Sequence, residues 1–321
     1  MINENAILVF EDLTIGFKRG RQKIEQQVYQ KLELALVQKL NYLVRKDAPT
    51  GVAGHYLKAY QLTPQIRTPQ DIGKQCGAVF YVSPGYTSLT CPRCGYRKNM
   101  SFPFENIEKA KALIRKIKLN ITAGDEGFLV AYALSDNEKG AIGEFNVSSS
   151  VERIRWHRNG TEYAKNHKRG ESVIEESRSK AGIAKRYDMT ECIAGLFEEN
   201  DAREKGTYTT DNLAAFNSAD FYRNLFRYLD LLLRSRNSIS GTDIDYIQCP
   251  KCLFHSDHGF QGQRWNGDAN GAYNIARKGL LLLKKIQNAK EPEKLSWKDL
   301  KISVEEWDEA TAKWAKRHGV E

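Results

Sequence analysis

Ala6 to Phe10 is a short apolar run ending on Glu11, the pattern of a buried strand. Further on, Ile24, Val28, Leu32, Leu36, Leu40 and Leu43 recur at steps of three or four, predicting an amphipathic helix from about Gln22 to Arg45. Gly77 to Val82 reads as a second core strand, ended by Pro84-Gly85. Beyond it the pattern is mixed and loop-rich. It predicts a helix over Glu105–Leu119, strands over Gly127–Leu134 and Ile142–Val147, and a helix over Ser218–Arg236 with Phe221, Leu225, Leu229 and Leu232 on one face. A last helix runs from about Asp268 to Gln287, with Ala272, Ile275, Ala276, Leu280 and Leu283 on its apolar face. Arg178–Arg186 is basic and polar and reads as solvated surface, whereas Trp265 reads as core. Two strands alone cannot bury both faces of a sheet or satisfy its edges. The expectation is a piece of a longer protein, or a sheet completed by another chain.

At 321 residues and 41% hydrophobic, the chain has length for one large or two ordinary domains. A formal net charge of +9 favours a polyanionic partner, because phosphates attract basic surfaces. No signal peptide or membrane span is legible, so the expected setting is cytoplasmic. In a reducing compartment, Cys-x-x-Cys pairs point to metal or redox chemistry rather than disulfides. Four of the six cysteines form two such pairs, Cys91-Pro92-Arg93-Cys94 and Cys249-Pro250-Lys251-Cys252; Cys76 and Cys192 stand alone.

A Cys-Pro-x-Cys turn points two sulfurs at one ion, and structural zinc takes four ligands tetrahedrally. The two pairs are about 150 residues apart, against the 15–20 of a simple ribbon, so a shared site needs a folded insert whose ends meet. Two alternatives stand beside it: Cys249 and Cys252 with His255 and His258, or reduced thiols without metal. Glu11 ends a run that should be buried, where a carboxylate is costly unless paired or bound to a cation. Asp268 opens a helix, and its plain reading is an N-cap. Together, a strand-end Glu and a helix-start Asp suit a metal-dependent centre of the RNase H type. Asp12 alternates to the opposite face of the strand and is a poor substitute for a missing ligand. Lys18, Arg19 and Arg21 form a basic loop after the strand, suited either to a phosphate backbone or simply to solvent.

Several segments carry a family likeness. Val9-Phe10-Glu11-Asp12-Leu13, Gly16-Phe17-Lys18-Arg19-Gly20-Arg21 and Lys39-Leu40-Asn41-Tyr42-Leu43 resemble the second RuvC motif and following helix of type V-A CRISPR RNA-guided DNA endonucleases. Tyr81 to Ser88 resembles the RuvC-to-Nuc passage; Arg236-Asn237-Ser238 and Asp245-Tyr246 resemble the Nuc segment; Asp268 to Gly279 resembles the third RuvC motif. The resemblance implies an α/β fold: an incomplete RNase H-like (RuvC) domain, residues 1–83 and 268–321, with a zinc-ribbon-bearing Nuc-like α+β domain inserted at 84–267. It implies Glu11 and Asp268 as ligands of two Mg2+ (or Mn2+) ions, Arg236 as the Nuc arginine and Asp245 as the nearby acid. Partners would be guide RNA and target DNA, in a monomeric prokaryotic effector with no membrane role. Without the resemblance, Arg236 reads as a helix-end cation. The first RuvC Asp would lie upstream of Met1, so the isolated chain is expected to bind nucleic acid without cutting it, and to be poorly soluble. The cysteine pairs, absent from many V-A members, resemble instead the zinc ribbon of TnpB transposon nucleases. A TnpB-like RNA-guided nuclease and a non-catalytic zinc-ribbon nucleic-acid-binding protein are the alternatives.

Overall fold

The computed structural model describes residues 8–12, 79–136, 140–158, 173–178, 182–200, 206–237, 246–257, 265–291, 299–317 and 319, with six helical positions between 28 and 36. The elements in chain order are β1 Leu8–Glu11, β2 Val79–Val82, α1 Ile107–Lys116, β3 Asn120–Gly124, β4 Gly127–Asp136, β5 Gly140–Ser148, β6 Glu152–Arg158, β7 Val173–Arg178, β8 Gly182–Asp188, α2 Met189–Glu198, β9 Thr207–Tyr208, α3 Thr210–Ala215, α4 Ala219–Leu232, α5 Gly267–Asn288 and α6 Val304–Arg317. Two compact units result: residues 1–87 with 271–310, and residues 88–270 with 311–321.

In the first unit β1 and β2 pair in parallel, from Leu8 opposite Val79 to Glu11 opposite Val82. The backbone N–H of Asp12 extends the pairing by donating to the Val82 carbonyl (2.8 Å). Strand β1 is half-buried along its length rather than fully enclosed. Helix α5 covers the pair: Ile275 and Leu282 pack with Val82, and Val9, Phe80, Ile286, Leu300 and Ile302 border them. The helix comes so near that a Cβ at Gly279 would lie 2.5 Å from a methyl of Val9. Of the apolar stripe over 22–45, Val28, Leu32 and Leu36 are described and helical as expected; Val28 and Leu32 are largely exposed and Leu36 is half-buried. Helix α6 opens with a capping box, Ser303 Oγ accepting from the Glu306 N–H and Glu306 Oε2 from the Ser303 N–H.

The second unit has two antiparallel sheets, in strand order β5-β4-β3-β9 and β6-β8-β7. Helix α4 starts where Ser218 Oγ accepts from the Phe221 N–H, and its predicted face of Phe221, Leu225, Leu229 and Leu232 is buried. Ile121, Val130, Tyr187, Met189 and Ile193 complete that core, and Trp265 packs against it as expected. The region 178–186 differs from its reading as solvated surface. It contributes strand β8, in which Ile183, Lys185 and Tyr187 alternate into the interior. A lysine at an inward position hid the period of two.

Candidate functional site

The two cysteine pairs fold into the same turn. In the first, the Cys91 N–H donates to Tyr96 O (2.8 Å) and the Gly95 N–H to Cys91 O (3.0 Å). In the second, the Cys249 N–H donates to Phe254 O and the Leu253 N–H to Cys249 O, both at 2.9 Å. The residue after each second cysteine is left-handed, with φ 73° at Gly95 and 53° at Leu253. Glycine is needed at 95, where a Cβ would stand 2.3 Å from the Thr311 Cβ. Leu253 takes the same conformation with its side chain largely exposed. A non-glycine residue there is strained by about 1–2 kcal/mol, while glycine gives back about 0.5–1 kcal/mol in chain entropy. Leu253→Gly is therefore expected to raise stability by about 0.5–1 kcal/mol. A urea midpoint below that of the parent would refute this.

The turns bring their sulfurs into one cluster: all four Sγ atoms lie within 4.8 Å of one another. Cys91 and Cys252 are 3.7 Å apart, and Cys94 and Cys249 3.5 Å. Four thiolates each about 2.3 Å from a tetrahedral ion stand about 3.8 Å apart, so the cluster fits structural zinc. Burial pushes the Cys91 and Cys249 thiols up. Cys252, hydrogen-bonded by Cys249, Cys91 and Cys94, is held well below its ordinary value. A dication held by the cluster would be matched by thiolate ligands. His255 is not in the cluster; its ring faces the side-chain amide of Gln248 and the N–H of Asp257. His258 and Cys76 lie outside the described residues.

Arg153 is buried beside this cluster, at 1% exposure. Its guanidinium donates to the carbonyls of Glu152, Leu231, Leu232 and Arg234. It thereby caps the C-terminus of α4, the end of a helix that favours a cation. Burial lowers its pKa to about 10, an effect opposed by Cys249 and Tyr96. Arg153→Met would leave buried carbonyls unmatched and is expected to cost about 3–5 kcal/mol. A shift in the denaturation midpoint worth under about 1 kcal/mol would contradict that reading of the cap.

The start of α5 forms a second constellation within the same unit. Asn266 is the cap, its Oδ1 accepting from the Ala269 N–H (2.7 Å). Asp268 is thus released from the capping role that its position suggested, and its side chain is exposed. A Cβ at Gly267 would lie 2.8 Å from the Tyr246 ring. The Arg236 guanidinium sits over that ring, 4.9 Å from its centroid, at cation–π distance. Ser88 ties the group together. Its Oγ accepts from Arg236 (3.1 Å), and its carbonyl accepts from the Tyr246 hydroxyl (3.1 Å) and from Asn270 (3.3 Å). Asn270 is fully buried, also donates to Thr90 O, and accepts from the Trp265 indole. Two residues singled out from the sequence, Arg236 and Asp268, therefore meet in one neighbourhood through Tyr246 and Gly267. Arg236 is not a helix-end cation, since α4 ends at Leu232. Ser88, Tyr246 and Asn270 had no assigned role in the sequence reading, although each stands inside or beside a recognised motif. Glu11, in the first unit, ends β1 half-buried. Lys18, Arg19, Arg21 and Asp245 lie outside the described residues.

A mixed α/β scaffold with a four-cysteine cluster and an exposed carboxylate at a helix start is the class these features define. The RuvC nuclease domain family matches residues 1–313, and the chain belongs to that family. Nucleases of this family use divalent metals. No helix among the described residues is long and apolar enough to cross a membrane.

Proposed function

We propose that this chain is the nuclease portion of an RNA-guided CRISPR effector resembling type V-A enzymes, hydrolysing DNA phosphodiester bonds with two metal ions. The observation that carries the reading is the exposed Asp268 at the start of α5, next to a Gly267 that abuts the Tyr246 ring on which Arg236 sits. Glu11 and Asp268 would each ligate a divalent metal, Mg2+ or Mn2+. The metal when bound supplies an activated water and steadies the leaving 3′ oxygen. Arg236, positioned by Tyr246 and Ser88, would hold the strand's phosphate, with Asp245 nearby. Lys18, Arg19 and Arg21 would add backbone contacts, and guide pairing would choose the sequence. In this scheme residues 1–83 and 268–321 are the RuvC part, 84–267 are the Nuc-like insert, and zinc in the four-cysteine cluster holds the ends of that insert together. The same cluster favours a second reading, a TnpB-like RNA-guided nuclease.

The test is purification of the effector from cells carrying its native locus, sequencing of the RNA that accompanies it, and assay of guided cleavage with Mg2+. Repeat-derived guides and chelator-sensitive cutting support the effector reading. Guides from a transposon end favour the TnpB-like one. Nucleic-acid binding with no cleavage at any metal concentration would leave a zinc-ribbon binding protein.

A further inference from the structure

Arg236 is held at both ends. Its chain neighbours pin the backbone: the Ser235 hydroxyl donates to Leu89 O, the Gln248 N–H to Ser235 O (3.0 Å) and the Asn237 N–H to Tyr246 O (2.9 Å). Its head lies on the Tyr246 ring, and it is Nη1 that donates to Ser88 Oγ. The ring is fixed in turn by its hydroxyl on the Ser88 carbonyl and by Gly267 against its edge. A long, rotamer-rich side chain is thereby ordered before anything binds, which lowers the ordering cost of binding.

The two holding residues occupy equivalent places in the sequence. Ser88 is three residues before Cys91, and Tyr246 is three before Cys249. The convergence of the knuckles on one cluster therefore also brings Ser88 and Tyr246 together. Both contacts to the guanidinium are neutral, a hydroxyl and an aromatic face, and among the described residues no carboxylate pairs with it. Its charge is thus left for an anion. With Nη1 committed, Nε and Nη2 form the edge that can meet two oxygens of one phosphate.

We infer that Ser88 and Tyr246 are positioning residues that turn the Nε–Nη2 edge of Arg236 toward a phosphodiester of the bound strand. The inference rests on the nuclease reading above and adds how the phosphate is gripped: by two parallel hydrogen bonds from an arginine ordered in advance, not by a mobile point charge.

The test is fluorescence anisotropy of labelled single-stranded oligothymidine on the full chain across a salt series, with zinc content and melting temperature measured for every variant. Arg236→Ala is expected to weaken binding roughly 10- to 150-fold, the range to which about 1.5–3 kcal/mol for hydrogen bonds to a charged group converts. It should also flatten the salt slope by about 0.7, the share of one phosphate on a single strand. Arg236→Lys should restore the slope but not the affinity. Ser88→Ala and Tyr246→Leu should each weaken binding roughly 2- to 30-fold, the equivalent of about 0.5–2 kcal/mol of contact with the guanidinium, with zinc content unchanged. Neither should cost anything further in an Arg236→Ala background, whereas a merely structural role would cost the same in both backgrounds. Tyr246→Phe, which keeps the ring, should recover most of what Tyr246→Leu loses. Should Tyr246→Leu fail to fold, Ser88→Ala decides. Unchanged affinity in Ser88→Ala, an equal loss with and without Arg236, or full affinity in Arg236→Lys would each overturn the inference. A parent chain that does not bind the strand removes the nucleic-acid reading and this inference together. A parent that binds no better than Arg236→Ala removes only the inference.

Discussion

Exchange of Cys94 and Cys249 for serine is expected to strip the protein of zinc and unfold its second unit. These two sulfurs are 3.5 Å apart and buried, and they join segments distant in sequence. Cys91, Cys94, Tyr96, Cys249 and Phe254 belong to the same core as the helices α1, α2 and α4, so the cluster is continuous with what holds the unit together. A structural zinc supplies roughly 10–16 kcal/mol in small metal-folded domains, against about 5–15 kcal/mol for the whole stability of a typical domain. Serine keeps the size but gives neither a soft thiolate nor an apolar surface. The check pairs zinc content per chain with a thermal scan of the far-ultraviolet circular dichroism. One zinc in the parent, none in the variant and loss of the cooperative transition is the expected outcome. A parent that melts cooperatively with no zinc bound would show that the cluster is only a set of packed thiols.

The second large effect falls on the carboxylates. In the complete effector, Glu11→Gln and Asp268→Asn should each reduce metal-dependent cleavage by about a thousandfold or more, since on the proposed reading each removes a charged metal ligand. Both changes are nearly isosteric. Asp268 is exposed and Asn266 does the capping, so Asp268→Asn should shift stability by no more than about 0.5 kcal/mol. Glu11 is pinned by the pairing of β1 with β2 and by the hydrogen bond that follows it, so its backbone should keep its place. Affinity for nucleic acid should remain, because phosphate contacts by Lys and Arg dominate it. Retained cutting by either variant would sink the assignment of that residue. A large fall in melting temperature for Asp268→Asn would mean that the carboxylate serves the helix after all.

What the sequence made legible follows from where side chains obeyed a simple period. The face of α4 is apolar at steps of three and four, and all four residues read from it are buried. The two cysteine turns carry their own local geometry, so their meeting required only that the insert close. Strands β6 and β8 were missed because their inward positions hold Arg153 and Lys185, which break the alternation that marks a strand. Helix α6 was missed too, its few apolar residues diluted among charges. Asp268 could be placed at a helix start but not freed from capping, because Asn266 two residues earlier is an equally good cap on sequence alone. One signal was present and unused. Asn270, Asn274 and Lys278 stand at i, i+4 and i+8, a polar stripe on a helix, and all three are buried donors to main-chain carbonyls. A polar stripe at helical spacing marks a backbone to be held, as an apolar one marks a core.

The separation of the two knuckles also has a consequence in time. A ribosome adds about 5–20 residues per second, so Cys249 appears roughly 10–30 s after Cys94. Through that interval the nascent chain offers an ion two thiolates, not four. The first turn is also without Thr311, against which Gly95 closes, until α6 has been made. Any metal taken up early is therefore held by half a cage and is free to exchange. A bound ion would gain all four ligands only once the second knuckle has been made, so metal supply at that moment, rather than during the first knuckle's translation, would decide whether the cage fills.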